Sequence, residues 1–187
     1  GYNLLIPDLR GHGLSEGDYI GMGWDDRLDI LKWIDYILLK NQNAKIVLYG
    51  VSMGGATVMN VAGEKLPQAV KAIIEDCGYT SVWDIFKSHI DMPEIESELA
   101  MHMASLVTKV RAGYYLEDVQ PIEQVKKSQT PMLFIHGRED HFVPFRMLDE
   151  LYQAATCPKQ KLIVEGAKHA NSCSVDEATY YSTVFNF

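Results

Sequence analysis

Cysteine is scarce in this chain, with Cys77, Cys157 and Cys173 the only three in 187 residues. They show no CxxC or metal-type spacing, and an odd count cannot close into a complete set of intrachain disulfides. A disulfide scaffold is therefore excluded, and a reducing environment fits. An excess of positive charge is also missing. Seventeen Lys and Arg face 25 Asp and Glu, for a net charge of −8, and the basic residues are scattered. That excludes nucleic acid as a partner and leaves no basic face for anionic lipid. No run approaches the roughly 18 consecutive apolar residues of a membrane span, and no basic, apolar signal peptide opens the chain. An initiator methionine is absent too: "GYNLLIPD" enters an apolar run at once and reads as a domain entered in mid-fold. Any targeting segment or membrane anchor would lie upstream, so localisation stays open, with the cytoplasm favoured by this chain alone.

What is present is an ordinary globular composition, 47% apolar and 22% charged, of a length that suits one domain with a substantial core. Short apolar runs at residues 3–7, 45–49, 70–75, 132–136 and 161–164 suit buried parallel strands, which read as continuous rather than alternating. Between the first two, Trp24, Leu28, Leu31, Ile34 and Leu38 recur at helical spacing, predicting an amphipathic helix over residues 23–40. Residues 53–65, 146–155 and 176–187 predict three more helices. Strand alternating with helix gives an α/β fold, a mostly parallel sheet with helices on both faces. Residues 76–131 break the rhythm, being too long for a simple crossover. Ile95, Leu99, Met103, Leu106 and Val110 follow helical spacing there, so an inserted helical cap is expected over 78–128, with the core formed by 1–77 and 129–187.

The most informative stretch is "YGVSMGGA", residues 49–56, directly after an apolar run. Glycine costs ~1 kcal/mol at an interior helical position, so glycines at the start of a helix answer a steric demand. Strand, then Gly50-Val51-Ser52-Met53-Gly54, then helix, is the context in which GxSxG acts as a nucleophile elbow. The turn lifts the Ser52 hydroxyl clear of the sheet, and Gly50 and Gly54 are expected to relieve collisions two residues either side. The Met53 amide would then point at a developing oxyanion, with the helix N-terminus behind it.

A serine nucleophile needs a base, and the base an orienting acid. Of six histidines, His169 in "VEGAKHANS" follows the last strand-like run, at the same sheet edge as Ser52. His136 in "LFIHG" suits buried support for the following turn; His141 is awkwardly placed; His89 and His102 fall in the expected cap and His12 in an early turn. For the acid, Asp140 in "HGREDHFVP" follows a strand at that edge. Glu139 beside it and Asp76 after "AIIED" are the alternatives. Ser52, Asp140, His169 is the chain order found on one particular scaffold.

"DLRGHGLSEG", "GVSMGG", "FIHGREDHFVP" and "VEGAKHANS", spread over most of the chain, together resemble the α/β-hydrolase superfamily, and "EDCGYTSVWDIF" resembles its acylaminoacyl-peptidase-like branch of bacterial serine hydrolases. The resemblance implies a serine hydrolase cleaving a carboxylic ester or related acyl bond, without metal or organic cofactor, on a small ester or acyl substrate. Peptidase or acyltransferase chemistry on the same residues, and a catalytically inactive interaction protein, are the alternatives. Serine at position 52 excludes the aspartate-nucleophile branches. Family members begin with upstream strands, one of which leads into a loop that supplies a second oxyanion donor. Here the chain starts at what resembles the fourth strand, so weak activity and self-association through an exposed sheet edge are expected of this chain. Met92, Met101 and Met103 with Trp83, Ile95, Leu99 and Leu106 suit either an acyl pocket or the packing of the cap's own helices.

Overall fold

A computed structural model describes all residues, 1–187. Its elements in chain order are α1 (Asp26–Lys40), β1 (Ile46–Val51), α2 (Met53–Ala62), β2 (Val70–Asp76), α3 (Val82–Lys87), α4 (Glu94–Ala112), a 3-10 turn (Leu116–Asp118), α5 (Pro121–Val125), β3 (Met132–Gly137), α6 (Arg146–Ala154), β4 (Lys159–Val164), α7 (Ser172–Val175) and α8 (Glu177–Asn186). The four strands form one parallel sheet in the order β1-β2-β3-β4. The expected α/β architecture is therefore present.

Strand alternation divides the core in two. Ile46, Leu48, Ile73, Met132 and Phe134 face α1, α2, α5 and α6 in the larger cluster, meeting Ile34, Met59, Val125 and Leu151. Ile74, Leu133 and Ile135 face the other way, onto Tyr180 of α8. Each such side chain contributes ~1.5–3 kcal/mol when fully buried. Coverage of the second face is uneven. It ends before β1, whose residues alternate between buried and exposed, leaving Val47 and Tyr49 about half exposed. Continuous burial was expected of β1, and this open face is why it does not occur.

Residues 3–7 differ from expectation. They form no strand, and Leu4 and Ile6 are 82% and 85% exposed. A strand exists by pairing, and β1, the edge strand nearest in sequence, pairs only with β2. Tyr2 instead stacks on Phe185 of α8, with ring centroids 5.7 Å apart.

The helix expected from the 95–110 pattern forms, ending at Gly113 in the left-handed conformation that glycine tolerates. Its orientation is the reverse of the usual one. Ser97, Met101 and Ser105 face inward, while Ile95, Leu99 and Val110 are 84%, 66% and 80% exposed. The serines are held locally: Ser97 Oγ donates to the Glu94 carbonyl, and Ser105 bonds Glu117 and accepts the Leu116 amide. Of the three methionines expected in a cap, Met101 is buried with Tyr79, Val82, Ile85 and Tyr114, whereas Met92 and Met103 are exposed.

Candidate active site

The site lies where β1, β2, β3 and β4 end. Ser52 joins β1 to α2 with φ 55 and ψ −116, a conformation strained for any residue with a Cβ. Its amide donates to the Asp76 carbonyl at 2.8 Å, tying the elbow to the end of β2. A Cβ at Gly50 would lie 2.1 Å from the Gly54 carbonyl oxygen, so the demand expected at Gly50 is real. At Gly54 it is not, because an added Cβ there meets nothing within 4 Å. The close approach is one-sided: the backbone of residue 54, rather than a side chain on it, fills the space that Gly50 leaves.

The loops after β3 and β4 are drawn together by their backbones. The Arg138 amide donates to the Val164 carbonyl and that of Glu139 to Ala167, both at 2.9 Å. A Cβ at Gly137 would lie 2.3 Å from the Ala167 carbonyl oxygen, so only glycine permits this approach. Asp140 and His169 are thereby neighbours although 29 residues apart.

His169 Nδ1 lies 2.8 Å from Asp140 Oδ2, and His169 Nε2 lies 2.8 Å from Ser52 Oγ. An ionised Asp140 accepts only, so Nδ1–H donates to it and Nε2 is left to accept the Ser52 hydroxyl. Asp140 Oδ1 takes the Phe142 and Val143 amides at 2.9 Å each. Burial pushes the Asp140 carboxyl upward, but hydrogen bonds from His136, His169 and the Val143 amide outweigh it and hold Asp140 well below the usual carboxylate range. Met53 follows Ser52 as the first residue of α2, so its amide has no intrahelical carbonyl to serve. The arrangement can pass a proton from Ser52 to His169 and stabilise the imidazolium that results.

The rival acids go elsewhere. Asp76 points to the opposite sheet face, where Tyr180 Oη donates to its Oδ2 at 2.8 Å and itself lies 2.7 Å from Tyr49 Oη. Glu139 is exposed. Among the histidines, His136 is fully buried with Nε2 3.0 Å from the Val143 carbonyl, in the expected supporting position. His141 is exposed, His102 faces Glu117, and His12 bonds its own turn. Sequence reasoning missed Phe142, whose ring centroid lies 4.7 Å from that of His169 and equally close to His89. Its position in the acid loop, two residues after Asp140, was the available signal. Cys77, free like the other two cysteines, completes a group with Asp140 and His169 whose ligand-type atoms lie within 4.8 Å of one another. Burial pushes its thiol far up, which opposes the thiolate that a metal would need.

The alpha/beta hydrolase fold family model matches residues 1–121, well over half of the chain. The chain belongs to the α/β-hydrolase family. A dienelactone hydrolase family model also matches residues 96–183 of this α/β hydrolase. An uncharacterised Bacillus subtilis protein is 30% identical over 189 residues, covering 100% of the chain and 62% of the relative. An uncharacterised Escherichia coli protein is 26% identical, covering 92% and 55%. The chain thus spans somewhat over half the length of these relatives. Among solved structures, a Pyrococcus furiosus esterase superposes with a TM-score of 0.70 at 18% identity, over 96% of this chain and 67% of its own. A Pyrococcus horikoshii acylaminoacyl peptidase gives 0.63 at 17% identity, over 88% and 28%. Both likenesses are of fold. No helix of this α/β hydrolase is long and apolar enough to cross a membrane.

Proposed function

We propose that the chain carries the catalytic centre of a serine hydrolase that cleaves carboxylic esters through an acyl-enzyme. The observation that carries the reading is the continuous Ser52–His169–Asp140 chain, 2.8 Å at each link, hung on a strained elbow. Ser52 Oγ attacks the acyl carbonyl as His169 Nε2 takes its proton, and Asp140 holds the imidazole in the required tautomer. The Met53 amide donates to the oxyanion. Collapse of the tetrahedral intermediate releases the alcohol, protonated by His169, and water repeats the sequence to free the acid and Ser52. Phe142, half exposed against His169, offers an apolar wall beside the reacting carbonyl, which suits an apolar acyl group.

The test is intact-mass analysis after fluorophosphonate treatment, together with turnover of short- and medium-chain esters, on the chain and on a longer version restored with its upstream segment. One adduct per chain at Ser52 is expected, and Ser52→Ala should lose it along with ~10⁴-fold or more of the turnover. Undiminished turnover in Ser52→Ala removes the nucleophile role. Labelling of the longer protein alone assigns the second oxyanion donor to the added segment. Labelling of neither sinks the reading.

A further inference from the structure

Phe142 is held at both of its peptide groups. Its amide donates to Asp140 Oδ1 at 2.9 Å, and its carbonyl lies 2.8 Å from His89 Nε2. A carbonyl only accepts, so His89 carries a proton on Nε2 and donates it. The Phe142 ring touches two imidazoles, with its centroid 4.7 Å from that of His169 and 4.7 Å from that of His89, within the range of aromatic contact. His89 comes from the connection between α3 and α4, 53 residues before Phe142. Its backbone is fixed by the turn that ends α3, where the His89 amide donates to the Phe86 carbonyl at 3.0 Å and the Ile90 amide to that of Lys87 at 3.2 Å. The residue after Phe142, Val143, is wholly buried in one apolar cluster with Val82 and Ile85 of α3, so the acid loop and α3 are packed together on either side of the bond.

We propose that His89 is a specificity-determining residue, which holds the Phe142 ring against His169 and lengthens the apolar wall there, so that the site prefers medium-chain acyl groups to acetyl. The proposal rests on the reading of Ser52, His169 and Asp140 as a catalytic triad acting on esters. Phe142 is 53% exposed, and an exposed side chain without further contacts exchanges rotamers in picoseconds to nanoseconds. With its carbonyl and its ring both engaged by His89, Phe142 keeps one orientation. The entropy of ordering it is then lost on folding and not again when substrate binds.

The chain length follows from the extent of the wall. Three rings in contact, those of His169, Phe142 and His89, start at the imidazole that takes the Ser52 proton and continue out to the α3–α4 connection. An acetyl group reaches the first part of this surface alone, whereas a medium chain removes more of it, and more of itself, from water. His89 touches neither Ser52 nor the reacting carbonyl and acts through Phe142. Its two contributions are separable, because glutamine at position 89 offers a donor to the Phe142 carbonyl without an aromatic ring.

Steady-state hydrolysis of p-nitrophenyl acetate and p-nitrophenyl hexanoate tests this, on whichever of the chain and its longer version labels at Ser52. Hexanoate should be preferred by ~10-fold or more in kcat/KM. His89→Ala should narrow that ratio by ~3- to 10-fold, the effect of about one hydrogen bond, with the loss in KM for hexanoate rather than in kcat. His89→Gln should recover part of the preference. Once Phe142→Ala is present, adding His89→Ala should leave the ratio where it is. A ratio unmoved by His89→Ala, or narrowed as much by it when Phe142 is already replaced, overturns the proposal. A second readout needs no turnover: the Phe142 ring displaces the ring-proton resonances of His169, and His89→Ala should move them toward their positions in Phe142→Leu. Resonances that stay in place would overturn the holding role of His89. Undiminished ester turnover in Ser52→Ala would sink the triad reading alone, and the His169 resonances would still decide whether His89 holds Phe142.

Discussion

The loops at the ends of β1–β4 and the long helix α4 use opposite strategies. At the strand ends, backbone strain is concentrated: Ser52, Cys77 and Ala170 have positive φ, three of the four such non-glycine residues in the chain. Buried titratable groups are concentrated there as well: Glu75, Asp76, His136 and Asp140. α4 is an unstrained helix whose inner face is Ser97, Met101 and Ser105 and whose apolar residues point outward. Strain and buried titratable groups persist only where many contacts enforce them, whereas an apolar outer face costs the folded chain little. The site is thus an over-determined part of the molecule, and the outer face of α4 a part whose sequence its own fold constrains little.

Substitutions can break or sharpen this contrast. The largest effect within the strand-end loops is expected for Asp140→Asn, which disturbs the tautomer of His169 and should lower ester turnover by ~10³- to 10⁴-fold. Asp76→Asn should stay within a few-fold of the unmodified rate, because Asp76 serves Tyr180 on the other face. Steady-state kinetics on the two variants checks both, and the reverse ranking would move the acid to Asp76.

The elbow offers a second pair. Gly50→Ala forces an atom onto the Gly54 carbonyl and should cost about 3 kcal/mol or more, or abolish folding. Gly54→Ala, with open space around it, should change urea-unfolding stability by less than about 1 kcal/mol. Equal losses would mean that the elbow relaxes in solution away from the geometry described here.

Glu75 gives a pH-dependent effect. Its carboxyl is held up to about 8 in the folded protein, so between its ordinary value near 4.5 and about 8 the folded state binds the proton that the unfolded state has lost. Stability therefore falls as pH rises through that window, and Glu75→Gln removes the slope. Denaturant midpoints should coincide near pH 4 and favour the variant by on the order of 1–3 kcal/mol at pH 7. The smallest effect belongs to α4: Ile95→Lys with Leu99→Lys should leave stability within about 0.5 kcal/mol. A clear loss of stability in the isolated chain would show that this face is covered in solution.

Much of the site was legible because its chemistry is local. GxSxG between a strand and a helix specifies an elbow, and strand-end positions put Asp140 and His169 at the same edge as Ser52. Gly54 was misread because GxSxG treats its two glycines alike, while the contact between residues 50 and 54 involves a side-chain position at one end and a carbonyl at the other. Phe142 was missed because ring contact with His169 depends on the path of the acid loop. Residues 3–7 have strand composition but no strand, since pairing needs a neighbour that composition cannot supply. The period of α4 was readable and its direction was not.

By itself, the order of residues determined the alternation of strands and helices and the elbow with its serine, because each rests on local sterics or on periodicity. Only the tertiary structure decided that Asp140 rather than Asp76 reaches His169. It also decided that Glu75 and His136 are buried on one face and that α4 turns its apolar side outward. Those outcomes depend on register and on which faces are covered, and both are set by contacts between segments far apart in the chain.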